Sequence, residues 1–204
     1  MSRSVVLAAA VALAAGSLAA TAARADAVVG QPAPAFTLTD SNGKTASLKD
    51  FAGKTVVLEW TNHECPFVKK HYNGQNMQAQ QAEARDSGVV WLVMNSSAPG
   101  KQGNVTPAQA NSIQAEWKGK QAAYLFDTPG TTGRAYGAKT TPHMYVIDGQ
   151  GIVRYNGAID SNPSSDPKDI PGATQYVRAA LADLEAGKAV QTPTTRPYGC
   201  SIKY

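Results

Sequence analysis

The chain has 204 residues, a length that suits one domain behind a short leader. Residues 1–25 contain two arginines and no acidic residue, and removing them leaves 17 basic against 15 acidic residues, a net charge of +2. This small and interspersed charge excludes a strongly basic surface for nucleic acid or for a membrane.

Residues 1–25 are typical of a secretory signal. Arg3 precedes a run rich in alanine, valine and leucine, and an Ala-Arg-Ala sequence ends at residue 25. Gly16 and Ser17 interrupt the run, which favours a cleaved signal over a retained anchor. We therefore predict a periplasmic protein that begins at Asp26 and has no stable membrane association.

Alternating apolar segments predict an α/β sandwich. The run at 89–94 is apolar throughout, so it is expected to be a parallel strand that is buried on both faces. Asn42-Gly43 predicts a hairpin turn, and Thr106 with Gln109 predicts a capped helix start. Strands are predicted at 36–38, 45–48, 56–60, 89–94, 123–126, 144–148 and 152–155, and helices at 66–84, 107–117, within 127–136 and at 170–186.

Two further expectations concern particular segments. A polar connector is predicted at 49–54. The glutamine-rich second half of the helix at 66–84 is expected to form one solvated face. Residues 26–187 are predicted to form one domain, and the Pro/Thr-rich residues 188–204 a tail that carries the second cysteine.

One of only two cysteines, Cys65, lies where the strand at 56–60 leads into a helix. Pro66 follows it, and proline favours the first position of a helix, so Cys65 is predicted to be the N-cap. The positive end of the helix dipole lowers the pKa of a thiol there and produces the nucleophilic thiolate. Lys69 and Lys70 are expected to assist, whereas Glu64 opposes. The alternative is an inert buried cysteine.

Three segments of the chain resemble the thioredoxin-fold redoxins, the group that includes peroxiredoxins and thiol-disulfide reductases. They are the Gly-x-Pro-x-Pro-x-Phe sequence at 30–36, the strand that leads to Cys65, and the Thr-Thr-Pro-His sequence at 140–143. The resemblance covers about residues 30–187 and is greatest to an AhpC/TSA-like, peroxiredoxin-like family with a Cys-Pro-Phe-Val-Lys motif. It implies a thioredoxin-like fold, with a central mixed sheet flanked by helices and an N-terminal hairpin, and a thiol-based enzyme without a cofactor.

The sequence departs from two familiar patterns of that group. Thioredoxin-type reductases carry Cys-x-x-Cys, and here Val68 replaces the second cysteine. Peroxiredoxins carry Pro-x-x-x-Thr-x-x-Cys, but Thr61 lies four residues before Cys65 and has no such proline. The resemblance therefore favours thiol-disulfide exchange. Peroxide reduction is the alternative, and a copper- or zinc-binding protein without turnover is another.

Cys200, in the tail, is a candidate resolving thiol that would attack oxidised Cys65. A structural disulfide between the two cysteines is equally open, since so long a loop would stabilise the fold by ~5 kcal/mol. The resemblance further implies that Pro142 is cis and faces Cys65, and that the Thr141 backbone pairs with an extended substrate.

The three histidines, His63, His71 and His143, are expected to lie on the face that carries Cys65. They are candidates for proton transfer near the thiol, as against ordinary surface residues. A metal site formed by Cys65 and two histidines is a weaker possibility because the spacing matches no closed site. Glu59 is either a buried base or a solvated residue at the strand end.

The expected partners follow from this chemistry. The substrate would be a protein disulfide or a peroxide, and a thiol protein or a small thiol would act as the reductant. No nucleic acid is expected to bind.

Overall fold

The computed structural model describes residues 26–204, so the predicted signal sequence lies outside the described residues. Within this range no helix combines the length and the apolar character that a membrane crossing requires. The helices are α1 (Pro66–Asn73), α2 (Asn76–Asp86), α3 (Pro107–Glu116), α4 (Thr131–Tyr136) and α5 (Tyr176–Glu185). The strands are β1 (Thr37–Asp40), β2 (Thr45–Ser47), β3 (Val56–Trp60), β4 (Val90–Asn95), β5 (Ala123–Phe126), β6 (Thr140–Thr141), β7 (His143–Ile147), β8 (Val153–Gly157) and β9 (Cys200–Ser201).

Seven strands form one mixed sheet in the order β2-β1-β5-β4-β3-β7-β8. Strands β3, β4 and β5 are parallel, whereas β7 runs antiparallel to β3, and β8 antiparallel to β7. Helix α2 packs on β4, and α5 packs on β7 and β8. The predicted α/β fold with a central mixed sheet flanked by helices is confirmed.

Strand β3 divides the core because successive side chains of a strand point to opposite faces. Val57 packs in one cluster with Cys65 and Met144. Leu58 and Trp60 pack in the other cluster, against α4 and the alternate residues of β7. The side chain of Cys65 therefore belongs to one identifiable face of the sheet.

Local signals in the sequence account for several elements. Strands β1 and β2 form the predicted hairpin around Asn42-Gly43. Helix α3 begins with the predicted capping box, in which the Gln109 amide donates to Thr106 Oγ1 at 3.3 Å and the Thr106 amide donates to Gln109 Oε1 at 2.8 Å. The predicted connector at 49–54 instead begins as a 3₁₀ turn, Leu48–Phe51, because Asp50 accepts a hydrogen bond from the Ser47 amide.

The prediction of one helix over 66–84 is wrong. The helix breaks between α1 and α2, where Gln75 adopts a left-handed conformation with φ of 60°. Gly74 ends α1 against Ile170, and a Cβ there would lie 2.5 Å from Ile170 Cδ1. The close approach of the segment that precedes α5 thus coincides with the break.

The prediction of a solvated glutamine face is also wrong. Gln78, Gln80 and Gln81 of α2 are all buried. Gln78 Nε2 donates to Trp117 O at 2.6 Å, and Gln80 Nε2 donates to Gln175 Oε1 at 3.1 Å. The side-chain nitrogens of these glutamines find partners inside the protein, so the polar residue type misled the sequence prediction.

Helix α5 begins at Tyr176 rather than at the predicted residue 170. A 3₁₀ turn, Pro167–Asp169, comes first, and Pro171 and Gly172 then disfavour a helix. Gln175 is the N-cap residue in an extended conformation. The apolar periodicity of this segment therefore predicted the helix but not where it starts.

The chain after α5 runs back along the edge of the sheet. The Asn156 amide of β8 donates to Pro193 O at 3.1 Å, and the Thr195 amide donates to Asn156 O at 3.1 Å. Thr195 Oγ1 also accepts from the Ala158 amide at 2.9 Å. This pairing fixes the first part of the tail on β8.

The substitution Gly157→Ala is expected to lower the free energy of unfolding by about 2–3 kcal/mol, because overpacking a tight contact forces the backbone to move. A Cβ at this position would lie 2.1 Å from Thr195 Oγ1 and 2.7 Å from Thr195 O. Urea unfolding measures the change. Gly172→Ala is the matched control, since its Cβ would enter open space. Equal stability of the two variants would contradict this packing.

Candidate active site

Cys65 lies at the N-terminus of α1, as the sequence predicts. It is the N-cap residue, and Pro66 is the first residue of the helix. Its amide donates to Asn62 O at 3.0 Å, and its carbonyl accepts from the Lys69 amide at 2.9 Å. The side chain is fully buried, with 0% of its surface exposed.

The segment that the resemblance placed opposite Cys65 lies there. The Thr141–Pro142 peptide bond is cis, as predicted. The Cys65 thiol donates to Thr141 O at 3.0 Å. Strand β6, which ends at Thr141, is therefore in direct contact with the sulfur.

The tail returns to the same point and forms a second, two-stranded sheet. Strand β9 pairs antiparallel with β6, with Cys200 opposite Thr141 and Ser201 opposite Thr140. Gly199 precedes β9 with φ of +124°, and a Cβ there would lie 2.1 Å from Thr141 O. Only glycine allows this approach. Both cysteines are free thiols in this structure.

The two thiols differ in ionisation. Burial by itself raises the pKa of Cys65, but hydrogen bonds from the side chains of Cys200 and Thr141 and from the backbone of Cys200 and Val68 outweigh it, so the pKa is lowered. Burial and the proximity of Cys65 raise the pKa of Cys200 to about 11. Cys65 is therefore the thiol that ionises first, and the neighbouring Cys200 side chain favours its ionised form.

Lys70 does not take the predicted part beside the thiol. Its side chain is fully buried and forms an ion pair with Asp160, with Lys70 Nζ and Asp160 Oδ2 3.1 Å apart. Lys69 is exposed, and Glu64 accepts a hydrogen bond from the Gly103 amide at 2.7 Å. Hydrogen bonds rather than lysine charges lower the pKa of Cys65.

Glu59 is buried in β3, which rules out the solvated alternative. Its carboxylate accepts hydrogen bonds from Trp91 Nε1 at 2.8 Å, Tyr72 Oη at 3.0 Å and Gln81 Nε2 at 3.3 Å. Burial nevertheless raises its pKa to about 7, although these hydrogen bonds lower it. Its side chain lies on the same face of β3 as Val57, the face that carries Cys65.

The structure separates the three histidines instead of gathering them around Cys65. His143 alternates with Met144, so it lies on the sheet face opposite Cys65, and it stacks on Tyr145 at 4.6 Å between centroids. Burial lowers the pKa of His143 to about 4. His71 lies in α1 beside the tail, and burial lowers its pKa to about 4 as well. His63 is half-buried in the loop before Cys65.

Residues 26–204 contain no cluster of three or more His, Cys, Asp or Glu side chains arranged to hold a metal ion. Both ring nitrogens of His143 have protein partners: Nδ1 accepts from the Lys139 amide at 3.1 Å, and Nε2 lies 2.8 Å from Asn156 Oδ1.

Sequence reasoning missed the residues that hold the tail in place. Tyr198 donates a hydrogen bond to Asp160, and its ring packs edge-on against Phe67. Tyr204 donates to Ala138 O at 2.8 Å. The one available signal was the pair of tyrosines that flank Cys200 in an otherwise Pro/Thr-rich tail.

The fold and the thiol at the helix N-terminus define a thioredoxin-like oxidoreductase. The family model described as Redoxin matches residues 28–175, more than half of the chain. The chain therefore belongs to the redoxin family. Its finer assignment to a group with a Cys-Pro-Phe-Val-Lys motif stays a prediction.

Individual relatives agree with this assignment. The chain is 29% identical over 150 residues to the "Thiol:disulfide interchange protein DsbE" of Yersinia pestis, and the match covers 67% of each protein. An uncharacterized conserved protein from Geobacillus kaustophilus superposes with a TM-score of 0.76 and 26% identity over 87% of this chain and 93% of that one. A putative DsbE from Chlorobium tepidum gives a TM-score of 0.52 and 26% identity over 63% of this chain and 84% of that one.

The substitution Glu59→Gln is expected to gain stability relative to the wild type as the pH rises from about 4.5 to about 7. The folded protein raises the pKa of Glu59 and so favours the neutral carboxyl. That contribution is complete below the pKa of the unfolded chain and is lost as the pH rises through the folded value. The relative gain should approach about 3 kcal/mol, since one pKa unit corresponds to about 1.4 kcal/mol.

Urea unfolding of both proteins across this range measures the difference. His71 and His143 titrate in the opposite sense, because their lowered pKa favours the folded protein as the pH rises, but they do so in both proteins. Subtracting the free energy of unfolding of the wild type from that of Glu59→Gln at each pH therefore isolates the contribution of Glu59. A difference that stays constant with pH would contradict a neutral Glu59 in the folded protein.

Replacing Cys200 by alanine is expected to raise the pKa of Cys65, because the Cys200 side chain donates one of the hydrogen bonds that lower it. The pH midpoint for alkylation of Cys65 by iodoacetamide should then move to higher pH. Ser201→Ala is the matched control: it also removes a polar atom from β9, but the Ser201 hydroxyl accepts from Lys203 Nζ at 3.0 Å and is not among the groups that lower the pKa of Cys65. An unchanged midpoint in the alanine variant of Cys200 would show that this thiol does not contribute.

Proposed function

We propose that this protein is a thiol-disulfide oxidoreductase that uses Cys65 as the nucleophile and Cys200 as the resolving thiol. The observation that carries the proposal is the position of Cys200 opposite Thr141, whose carbonyl accepts the hydrogen bond of the Cys65 thiol. Two free thiols that are far apart in the sequence thus come close enough that each shifts the pKa of the other. The name of the Yersinia relative agrees with this reaction.

The difference in ionisation supports the order of the two attacks. Cys65 has the lowered pKa, and only a thiolate attacks a disulfide efficiently. The pKa of Cys200 is raised by burial and partly by the neighbouring Cys65. Once Cys65 is part of a disulfide it carries no charge, so that part of the effect on Cys200 disappears and the second thiol becomes easier to ionise.

The reaction proceeds in two exchanges. The Cys65 thiolate attacks one sulfur of a substrate disulfide, which forms a mixed disulfide and releases the other substrate sulfur as a thiolate that takes up a proton. Cys200 then loses its proton and attacks Cys65 Sγ. The Cys65–Cys200 disulfide forms, the second substrate thiol leaves, and the substrate has gained two electrons and two protons.

A thiol protein or a small thiol must then reduce the Cys65–Cys200 disulfide. Thr141, next to cis-Pro142, would pair with an extended substrate chain once β9 leaves this edge. His63 is proposed as a proton carrier, since it is a half-buried histidine two residues from Cys65. His143 faces the other side of the sheet and at most orients the cis-proline segment. The signal-like sequence of residues 1–25 supports a periplasmic location for this reaction.

Oxidised glutathione is a direct probe of this scheme. Wild-type protein is expected to form the Cys65–Cys200 disulfide, seen as the loss of two hydrogens in the intact mass. Cys200→Ser should instead accumulate a glutathione adduct on Cys65, because the second exchange is blocked. Cys65→Ser should abolish the exchange, since a serine hydroxyl is not ionised at neutral pH.

Hydrogen peroxide separates the alternative reaction from this one. Disulfide exchange predicts that peroxide oxidises Cys65 more slowly than oxidised glutathione does at equal concentration, as measured by stopped-flow fluorescence. Faster oxidation by peroxide would make peroxide reduction the reaction. Full turnover by Cys65→Ser with both substrates would contradict both disulfide exchange and peroxide reduction through Cys65.

A further inference from the structure

A fully buried ion pair connects α1 to the segment that follows β8. Lys70 Nζ lies 3.1 Å from Asp160 Oδ2, and neither side chain has any exposed surface. Lys70 Nζ also donates to Asn162 O at 2.8 Å and to Tyr198 Oη at 3.5 Å. The three ammonium protons thus have three acceptors, which a buried lysine requires.

The Tyr198 hydroxyl completes this cluster. Asn76 Nδ2 donates to His71 Nδ1 at 2.9 Å, which places the proton of the neutral imidazole on Nε2. His71 Nε2 therefore donates to Tyr198 Oη, at 3.1 Å. The hydroxyl itself donates to Asp160 Oδ1. It makes one bond as a donor and two as an acceptor, which is the full capacity of a hydroxyl group.

The ring of Tyr198 is held as well as its hydroxyl. It packs edge-on against Phe67 with 5.8 Å between the ring centroids, and Lys70 Nζ lies 5.5 Å from its centroid. Phe67 and Lys70 both belong to α1, the helix that begins after Cys65. The tail is therefore attached to the helix of the nucleophile at a point two residues before Cys200.

The need for such an attachment follows from the burial of Cys65. The Cys65 side chain is 0% exposed, and β9 covers the Thr141 edge beside it. A disulfide from outside cannot reach Cys65 while β9 is in place. Cys200 must therefore leave β6 during the first exchange and return for the second.

The distance along the chain decides how effectively Cys200 returns. An extended chain spans about 3.5 Å per residue, so Cys200 stays within about 7 Å of Tyr198 if that residue remains fixed. On the N-terminal side of Cys200, the next fixed residue without this attachment is Thr195, paired with β8. The reach then grows to about 17 Å once the contacts of Ile202 and Tyr204 on the other side have opened with β9. The volume that Cys200 explores scales with the cube of the reach, so the effective concentration of its thiol falls by about 15-fold.

We propose that Lys70, His71 and Asp160 act through Tyr198 as an anchor that positions Cys200 for attack on the mixed disulfide at Cys65. The inference rests on the proposed function, because it assigns a role in the second exchange. These side chains are positioning residues, since none of them contacts the reacting sulfur atoms.

The test is Tyr198→Phe, which removes the hydroxyl and keeps the ring. The equilibrium constant between glutathione and the Cys65–Cys200 disulfide measures the effective concentration of Cys200. It should fall about 10-fold or more in this variant, in line with the change in reach. Amide hydrogen exchange at Ile202, which donates to Lys139 O at 3.1 Å, should become faster, whereas exchange in β3 should not.

Tyr136→Phe is the matched control. Tyr136 is buried, and its hydroxyl donates one hydrogen bond, to Pro34 O at 2.8 Å, in the cluster on the other face of the sheet. It should lower the melting temperature without changing the glutathione equilibrium. A merely structural role for Tyr198 would give the same result in Tyr198→Phe.

Three outcomes overturn the proposal, and they differ. If wild type forms the disulfide and Tyr198→Phe has the same equilibrium constant, Tyr198 does not position Cys200. The proposed function would then still stand. If wild type forms no Cys65–Cys200 disulfide at any glutathione ratio, the proposed function fails and the anchor's role in it fails too. Unchanged exchange at Ile202 would show independently that Tyr198 does not hold the tail.

Discussion

The antiparallel pairing of Cys200 with Thr141 is the contact on which the site depends. It places the second thiol near Cys65 at the start of α1, and it places the backbone of Cys200 where it lowers the pKa of Cys65. It also leaves no surface of Cys65 exposed. The backbone can approach this closely only because residue 199 is glycine. One short strand thus supplies the partner thiol, favours the thiolate and closes the site.

In the proposed function, Cys200 takes the part of the second cysteine that thioredoxin-type reductases carry on the same helix. Val68 occupies the position of the second cysteine and is fully buried, and its backbone contributes to the lowered pKa of Cys65. A thiol three residues along the same helix would be held by the helix itself. A thiol on a tail must be held by contacts, and the proposed anchor that includes the buried ion pair of Lys70 and Asp160 would supply them.

Side chains of helix α1 take part in two sets of buried polar contacts near the site. Tyr72 donates to Glu59 beneath the helix, whereas Lys70 and His71 reach the tail. These side chains follow one another in the sequence but point in different directions, because successive residues of a helix are rotated by about 100°. A buried charge without its partner is costly, so each contact restricts the helix to one position relative to β3 and to the tail.

Sequence reasoning succeeded where the signal was local. The hairpin at Asn42-Gly43, the capping box at Thr106 and the N-cap at Cys65 each depend on a few neighbouring residues. It failed where long-range packing decided whether a polar side chain is buried. Gln81 and Lys70 are residue types that usually face water, and no local pattern marks them as buried. Their partners, Glu59 and Asp160, come from other parts of the chain.

The sequence by itself determined the α/β fold and the thiol at the junction of strand and helix, because periodicity, capping and turn preferences act over a few residues. The proline segment opposite the thiol was implied by the resemblance to the redoxins. Only the tertiary structure decided where Cys200 lies, which contacts lower the pKa of Cys65 and what holds the tail. The two cysteines are 135 residues apart, and their distance depends on every element folded between them. Their ionisation depends in turn on burial and hydrogen bonds, which exist only once those elements have packed.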